Sequence, residues 1–307
     1  MGKKKINWKH WLPFYIMFLP GLTYLIINNY LPLYGMQLAF KSFSYAKGIG
    51  GSNWIGLKNF KFLFATKDAF IMVRNTLLYN IIWIFIGAVF GITVAILFNE
   101  IKNKMAKKIY QTAILLPYLM SIVVVAYLVY AFLATDTGLI NNAIVKGLFG
   151  KEEGISWYME SKYWPFILTF VQQWKQIGFG MLLYLATILG IDNSYYEAAM
   201  LDGATKWQQI KTITLPLLKP TVIMLVILNL GQIFRSDFGL FYQVPMNQGA
   251  LYSTTQTIDT YVYRALMVNN NIGMSAAASF LQSIVGFIFI VTANKIIGHF
   301  DKSNTVF

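Results

Sequence analysis

The sequence contains no cysteine, which excludes disulfides, iron–sulfur clusters and thiol nucleophiles. It has only two histidines, His10 and His299, near opposite ends of the chain, so little is available for a metal site. Charged residues are scarce at 12%, about half the roughly 25% of a soluble domain. What is abundant is apolar: 57% of the 307 residues are hydrophobic and 17% are aromatic. A folded chain of this size cannot hide that much apolar surface from water, so we expect part of it to face lipid.

The apolar residues are collected in runs long enough to cross a bilayer, which takes roughly 20 residues. The formal net charge is +13, but the basic residues fall between these runs, which indicates orientation in a membrane rather than binding of nucleic acid. The first run follows three lysines and lacks a small-x-small cleavage site, so it is interpreted as a retained span rather than a signal peptide. Its prolines predict a kink or a break. The six predicted spans are residues 12–36, 75–98, 109–134, 164–191, 217–245 and 274–297.

Lysine density in the short connections predicts the orientation. Lysines crowd the N-terminus, the second–third connection, the fourth–fifth connection and the C-terminus, which places both termini in the cytoplasm. The predicted organisation is a cytoplasmic segment 1–11, a transmembrane domain 12–297 and a cytoplasmic tail 298–307. The second span contains a GxxxG pattern, Gly87 to Gly91, which is either a close helix contact or a chance occurrence.

The fourth–fifth connection, residues 192–216, predicts a helical hairpin. Ser194 and Glu197 fit a capping box that opens a first helix, and Gly203 fits a left-handed helix end. Thr205 and Gln208 fit a second capping box, and Pro216 is expected to end the second short helix. The hairpin has an apolar face, which either folds back on its own bundle or docks in a groove of a separate cytoplasmic protein.

The same segment carries a resemblance. Glu197-Ala198-Ala199, Gly203 six positions after the glutamate, and Ile213-x-Leu215-Pro216 resemble the EAA loop of ABC importer permeases. Flanking segments extend the similarity over nearly the whole chain, which resembles the LplB-type branch of the carbohydrate-uptake permeases, relatives of the maltose permeases. Those segments include residues 174–186, 116–121, 259–264 and 293–295.

The resemblance implies an all-α, polytopic type I ABC importer fold in a bacterial cytoplasmic membrane. It also implies a second permease subunit as heterodimer partner, two cytoplasmic ATPase subunits and an extracellular solute-binding protein that delivers a carbohydrate. The residues implied to contact the ATPase are Glu197, Ala198, Ala199, Asp202, Gly203, Leu215 and Pro216. For Glu197 alone, a simple helix-capping role is the alternative.

The chain has no Gly-x-x-x-x-Gly-Lys-[Ser/Thr] phosphate loop, so ATP hydrolysis is expected in a separate subunit. No catalytic residue, metal site or cofactor is predicted for this chain. ATP and Mg²⁺ are assigned to the partner ATPase.

Polar residues inside the predicted spans are candidates for substrate contact, because polar groups at membrane depth usually face a cavity or a partner. Amides and cations supply hydrogen bonds to sugar hydroxyls, and aromatic rings supply stacking faces. An alternative is that Lys175 and Asp237 pair across helices, or that Arg235 and Asp237 lie at the outer rim. Lys175 and Arg235 together hint at an anionic saccharide. The candidates are Gln172, Trp174, Lys175, Tyr184, Asn229, Gln232, Arg235 and Gln282, with Asn229, Gln232 and Ser236 on one helical stripe.

Two rival functions are weighed against the importer. An ion-coupled secondary sugar transporter needs membrane carboxylates, and the predicted spans contain only Asp237. An integral-membrane enzyme needs a nucleophile, a metal set or an acid–base pair, and Glu152-Glu153 is the only adjacent carboxylate pair, in a predicted outer loop.

Overall fold

The computed structural model describes residues 8–150 and 153–300. Lys3, Lys4, Lys5, Glu152 and the end of the predicted tail therefore lie outside the described residues. The helices are α1 (Trp8–Leu25), α2 (Lys67–Asn99), α3 (Lys104–Leu119), α4 (Ile122–Leu133), α5 (Trp164–Leu189), α6 (Asn193–Leu201), α7 (Lys206–Leu230), α8 (Phe238–Gln243), α9 (Ile258–Met267) and α10 (Ile272–Phe300). Short helical turns lie at Gly48–Gly51, Gly56–Phe60, Phe62–Ala65, Ile140–Lys146, Ser161–Tyr163, Gly249–Leu251 and Tyr252–Thr255. The strands β1 (Lys41–Ser42) and β2 (Asn53–Trp54) form one short antiparallel pair.

Helices long and apolar enough to cross a membrane dominate the chain, as the composition predicts. Four of them are continuous: Trp11–Phe40, Lys67–Asn99, Lys206–Leu230 and Ile272–Ile296. Two further candidates are bent pairs, α3 with α4 at 96° and Ser161–Leu189 with α6 at 68°. Counting each bent pair as one span gives the predicted number of six. The prediction of an all-α, multi-span protein is confirmed.

The chain forms two compact units, the first made of residues up to Ala65 together with Val262–Phe280. Its first helix does not break as the sequence predicted. The helix runs past Pro13 and Pro20 and changes its winding to a π turn at Ile26–Tyr30 and to a 3₁₀ helix at Leu31–Phe40. The 3₁₀ segment has Pro32 in its first turn, where a missing N–H is tolerated, so the helix continues.

The second unit contains Thr66–Tyr261 and the chain from Leu281 onward. Its core includes buried Trp83 on α2, Val125 on α4 and Trp164 on α5. Glycines allow α2 and α5 to lie close together: a Cβ on Gly91 would stand 2.9 Å from the Tyr184 ring. The GxxxG pattern is therefore a close helix contact within the chain, the first of its two interpretations.

The third predicted span is not straight, which corrects the expectation of one helix over residues 109–134. The backbone is extended at Met120 and Ser121, between α3 and α4. Lys175 of α5 is buried, and its Nζ donates to the carbonyl oxygens of Pro117 (3.3 Å), Tyr118 (3.0 Å) and Met120 (2.6 Å). An ammonium group is a strong donor to the unpaired carbonyls at a helix C-terminus, so it stabilises the bend.

The fifth predicted span is also interrupted, so the helical stripe through Asn229, Gln232 and Ser236 is wrong. Helix α7 ends at Leu230, and the chain is not regular helix again until Phe238 begins α8.

Side chains from other segments form hydrogen bonds with the backbone groups that this interruption leaves unpaired. Asn80 Nδ2 donates to the carbonyls of residues 233 (2.9 Å) and 235 (2.8 Å), and Gln282 Nε2 donates to that of Phe234 (2.8 Å). Asp259 accepts from the Ser236 N–H at 2.6 Å.

Candidate functional site

The first helix of the hairpin over residues 192–216 has its N-cap two residues earlier than predicted. Asp192, not Ser194, is the N-cap of α6, and its carboxylate accepts from the Ser194 N–H at 2.9 Å. This hydrogen bond lowers the pKa of the Asp192 carboxyl, because it favours the charged form. The predicted Ser194–Glu197 box is therefore wrong, and Glu197 remains an exposed residue in the middle of α6.

The turn after α6 forms as predicted. Gly203 has φ +77°, in the left-handed region, with the Gly203 N–H donating to Met200 O at 3.1 Å and the Ala204 N–H donating to Ala199 O at 2.9 Å. These two bonds define a Schellman motif, in which glycine avoids the steric cost of a positive φ. The predicted capping box of Thr205 and Gln208 then opens α7 and is confirmed.

Helix α7 does not stop at Pro216. It passes through a π turn at Ile210–Thr214 and continues past Pro216 to Leu230. Pro216 falls in the first turn after the π segment, where the altered pairing tolerates its missing N–H. The predicted second short helix is thus the start of a membrane-length helix of 25 residues.

Three polar contacts connect parts of the hairpin to one another and to the end of α2. The hydroxyl groups of Tyr196 and Thr214 are 2.9 Å apart, which joins α6 to α7. Gln209 Nε2 donates to Ala204 O at 3.1 Å, inside the turn. Lys206 Nζ lies 3.6 Å from the Glu100 carboxylate at the end of α2. These contacts connect α6 to the start of α7 and the start of α7 to the end of α2.

The outer surface of the hairpin has unusually exposed apolar side chains. Leu201 is 90% exposed, Trp207 69% and Met200 54%. Among the residues predicted for ATPase contact, Glu197, Ala198, Asp202, Gly203, Leu215 and Pro216 are exposed, and Ala199 is half-buried. The ion pairs in the described part of the chain are Lys162–Glu160 and Lys206–Glu100, so the Glu197 carboxylate is in neither. The hairpin presents apolar side chains together with the exposed carboxylates of Asp192, Glu197 and Asp202.

A cavity of about 500 Å³ lies between α2, α5 and α7. Five carboxamide side chains line it, together with Trp83 and Phe179 as aromatic surfaces, and Gly87, Ala88 and Gly180 leave the space open. No ionisable side chain is among the lining residues of the described chain. Gln172 Oε1 is buried and accepts no hydrogen bond from the described residues, so it is an available acceptor. The five amides are Asn80, Gln172, Gln173, Gln176 and Asn229.

Two of the eight predicted substrate residues, Gln172 and Asn229, line this cavity. Trp174 instead lines a separate, almost wholly apolar cavity with α4. Lys175 donates to carbonyls at the α3–α4 bend and Tyr184 packs against Gly91, and neither residue lines the cavity. Gln282 binds Phe234 O and the Asp259 carboxylate.

The remaining candidates belong to the interruption after α7. Gln232 and Arg235 are exposed there, and neither lines the cavity. The suggested pairing of Lys175 with Asp237 is wrong, because Asp237 caps α8 by accepting from the Leu240 N–H at 3.0 Å. The eight predicted substrate residues did not include Asn80, which lines the cavity. In the sequence, only its position as a polar residue within the second apolar run pointed to it.

Metal ligands are also absent from the site: within residues 8–150 and 153–300, no group of three His, Asp or Glu side chains is placed to hold an ion. The site therefore consists of a hairpin that offers a binding surface and a cavity lined by neutral polar groups. The exposed hairpin suits binding to another protein, and the cavity suits binding of a polar ligand.

Comparison with known proteins places the chain among membrane transport subunits. A family model described as "Binding-protein-dependent transport system inner membrane component" matches residues 87–302. Protein LplB of Bacillus subtilis (strain 168) is 33% identical over 95% of this chain and 90% of its own length. The polygalacturonan/rhamnogalacturonan transport system permease protein YteP of the same strain is 33% identical over 94% of this chain and 88% of its own.

Solved structures agree with the sequence relatives. A chain from a bacterial ABC transporter involved in the import of the acidic polysaccharide alginate superposes with a TM-score of 0.84. It is 31% identical to this chain, and the match covers 94% of this chain and 96% of that one. A second structure, of the alginate transporter in complex with an alginate-pentasaccharide-bound periplasmic protein, gives the same TM-score at 30% identity. This chain therefore belongs to the family of binding-protein-dependent transport system inner membrane components, as a multi-pass ABC importer permease subunit of the sugar-transporting group rather than an enzyme.

Proposed function

We propose that this permease forms the translocation path for an oligosaccharide or polysaccharide fragment together with a second, similar permease. Two ATPase subunits bind ATP and Mg²⁺ below the membrane, and an extracellular solute-binding protein delivers the substrate above it. The chain itself holds no cofactor. The observation that carries the proposal is the exposed hairpin, with its apolar surface and Glu197, on a chain of this family.

The proposed orientation follows from the hairpin. If residues 192–216 contact an ATPase, the hairpin lies in the cytoplasm. Four spans precede it and two follow it, and an even number of crossings returns the chain to the same side of the membrane. Segments 1–11 and 298–307 therefore lie in the cytoplasm as well. The transmembrane domain is then residues 12–297 of a protein in a bacterial cytoplasmic membrane.

Coupling is proposed to use the rigid connection between α6 and α7. Closure of the ATPase pair moves α6, the Schellman turn and the Tyr196–Thr214 contact transmit the movement, and α7 shifts with it. Because Asn229 lies near the far end of α7, the same helix contributes to the cavity. The hairpin thus has two positions, and closure of the ATPase pair shifts the equilibrium between them.

Carbohydrate as substrate is supported by the cavity and by the relatives. Carboxamides both donate and accept hydrogen bonds, as sugar hydroxyls require, and Trp83 and Phe179 offer apolar faces. YteP is named for polygalacturonan/rhamnogalacturonan transport and the solved transporter imports the acidic polysaccharide alginate, whereas the cavity lining carries no cation. We infer that the cavity contacts hydroxyl groups and that recognition of any acidic groups occurs elsewhere in the importer.

Purification and transport assays test the proposed assembly. A tagged chain expressed with its neighbouring genes is expected to co-purify with an ATPase and a second six-span protein, and uptake into proteoliposomes is expected to require internal ATP. A chain that purifies alone and transports sugar under an ion gradient without ATP would support the secondary-transporter alternative.

Removing the free acceptor in the cavity is expected to weaken substrate binding. Gln172→Leu keeps a similar volume but loses the buried Oε1, and one hydrogen bond of about 0.5–1.5 kcal/mol corresponds to a rise of roughly three- to tenfold in half-saturating substrate concentration. The measurement is ATP-driven uptake at a saturating concentration of binding protein.

The matched control is Gln111→Leu, an amide on α3 outside the cavity, which is expected to leave the half-saturating concentration unchanged. Equal behaviour of the two variants would remove Gln172 from the substrate path without affecting the assignment of the hairpin.

A further inference from the structure

Residues 41–65, here called the basic lobe, follow the first span in the sequence and belong to the first compact unit. Strands β1 and β2 pair at its base, with Lys41 opposite Trp54. Lys41 is buried, and its Nζ donates to Ile49 O at 2.8 Å. Asn59 Nδ2 donates to Lys41 O at 2.9 Å and to Ala39 O at 3.0 Å. These internal contacts hold the lobe in one conformation before any partner binds.

The charged side chains in this part of the chain, residues 1–67, are all basic. Residues 1–67 contain no aspartate or glutamate, and the first acidic residue of the sequence is Asp68. Lys47, Lys58 and Lys61 of the lobe are exposed, and no carboxylate within the lobe compensates them.

Large apolar side chains are exposed on the same lobe. Tyr45 is 77% exposed, Leu57 69% and Trp54 65%. Aromatic and apolar contacts surrounded by a polar, charged rim are typical of protein–protein interfaces, and tyrosine and tryptophan are common among the residues that dominate binding energy.

We propose that the basic lobe is a docking surface for an acidic face of the extracellular solute-binding protein. The proposal rests on the orientation given under Proposed function, which puts the lobe outside the cell. Lysines on that side oppose the usual excess of positive charge on the cytoplasmic side, so three exposed lysines without a counter-charge need a cause other than insertion. Attraction of an acidic partner is such a cause.

A protein fits this surface better than a free glycan does. In a binding-protein-dependent importer the substrate arrives enclosed in its carrier, so the outermost surface of the permease meets the carrier first. Exposed charges of one sign raise the association rate of an oppositely charged partner by ten- to a thousandfold, and salt weakens the effect.

The test uses the complete importer in proteoliposomes, with uptake measured as a function of binding-protein concentration. The triple variant K47Q/K58Q/K61Q is expected to raise the half-saturating concentration of binding protein by about tenfold at low ionic strength. The maximal rate is expected to stay unchanged, and the difference should shrink at high salt because charges more than about 8 Å apart are screened at 0.15 M. The control K47R/K58R/K61R keeps the charge and is expected to behave like the original protein.

The proposal is overturned by an unchanged half-saturating concentration in the glutamine variant, or by a change that salt does not affect. A lowered maximal rate with unchanged half-saturation also overturns it, since the lysines would then serve the lipid interface or folding. If a variant transports poorly, the affinity of the purified binding protein for the assembled importer is measured directly and compared between the variants.

Orientation is tested separately, because the chain has no cysteine and a single one can be introduced. In Lys58→Cys, a membrane-impermeant maleimide added to intact cells is expected to label the protein. Absence of labelling in cells, with labelling after permeabilisation, contradicts the proposed orientation. Labelling from outside together with unchanged binding-protein affinity contradicts only the docking role.

Discussion

Reversing one exposed charge, in Glu197→Lys, is expected to lower ATP-driven uptake at least tenfold while the chain still inserts into the membrane. Removing one partner of an interface charge pair costs about 2–5 kcal/mol, and each 1.4 kcal/mol changes affinity about tenfold. Because the Glu197 side chain is exposed and not in an ion pair of the described chain, folding should tolerate the change. The measurements are uptake and the amount of ATPase retained on the purified permease.

The control is Glu153→Lys, the same change at an exposed glutamate of the loop between α4 and α5. It is expected to keep both uptake and ATPase retention. If Glu197→Lys transports normally with its ATPase bound, the hairpin is not the coupling element, and the alternative that it packs only on its own bundle gains support.

Removing the buried ammonium group, in Lys175→Met, is expected to destabilise the protein rather than to change its substrate affinity. The carbonyl oxygens of Tyr118 and Met120 at the α3–α4 bend lose their donor, while that of Pro117 keeps the Met120 N–H, and each unsatisfied buried group costs about 1–3 kcal/mol. A loss on the order of 3 kcal/mol predicts an apparent Tm lower by about 5 °C or more. Thermal challenge followed by size-exclusion chromatography measures it.

Lys104→Met provides the matched control, because Lys104 is an exposed lysine at the start of the same α3. Its apparent Tm is expected to stay unchanged. A Lys175→Met protein that keeps its Tm but needs more substrate for half-saturation would restore Lys175 to the substrate path, as the sequence first suggested.

The sequence predicted features set by composition and by local rules. Lipid exposure followed from the shortage of charge, and the left-handed Gly203 and the Thr205–Gln208 box followed from turn and capping chemistry. These depend on residues a few positions apart, so the local pattern contains the necessary information.

The two interrupted spans could not be predicted from the sequence, because distant side chains stabilise them. Lys175 lies 55 residues or more from the carbonyls it binds, and Asn80 lies more than 150 residues from those that it binds. Lys175 looks like a substrate ligand in the sequence, since any polar group in an apolar run suggests a functional site. Only the fold distinguishes a polar side chain that binds backbone from one that faces a cavity.

The unbroken passage of α7 through Pro216 has a consequence for the scale of movement. With 25 residues at about 1.5 Å each, α7 spans roughly 37 Å from the hairpin to its end near Asn229. A rod of that length converts a tilt of roughly 5° at one end into a displacement of about 3 Å at the other, comparable to one hydrogen-bond length. In the proposed coupling, a small angular change at the hairpin would therefore suffice to make or break individual hydrogen bonds at the Asn229 end of α7.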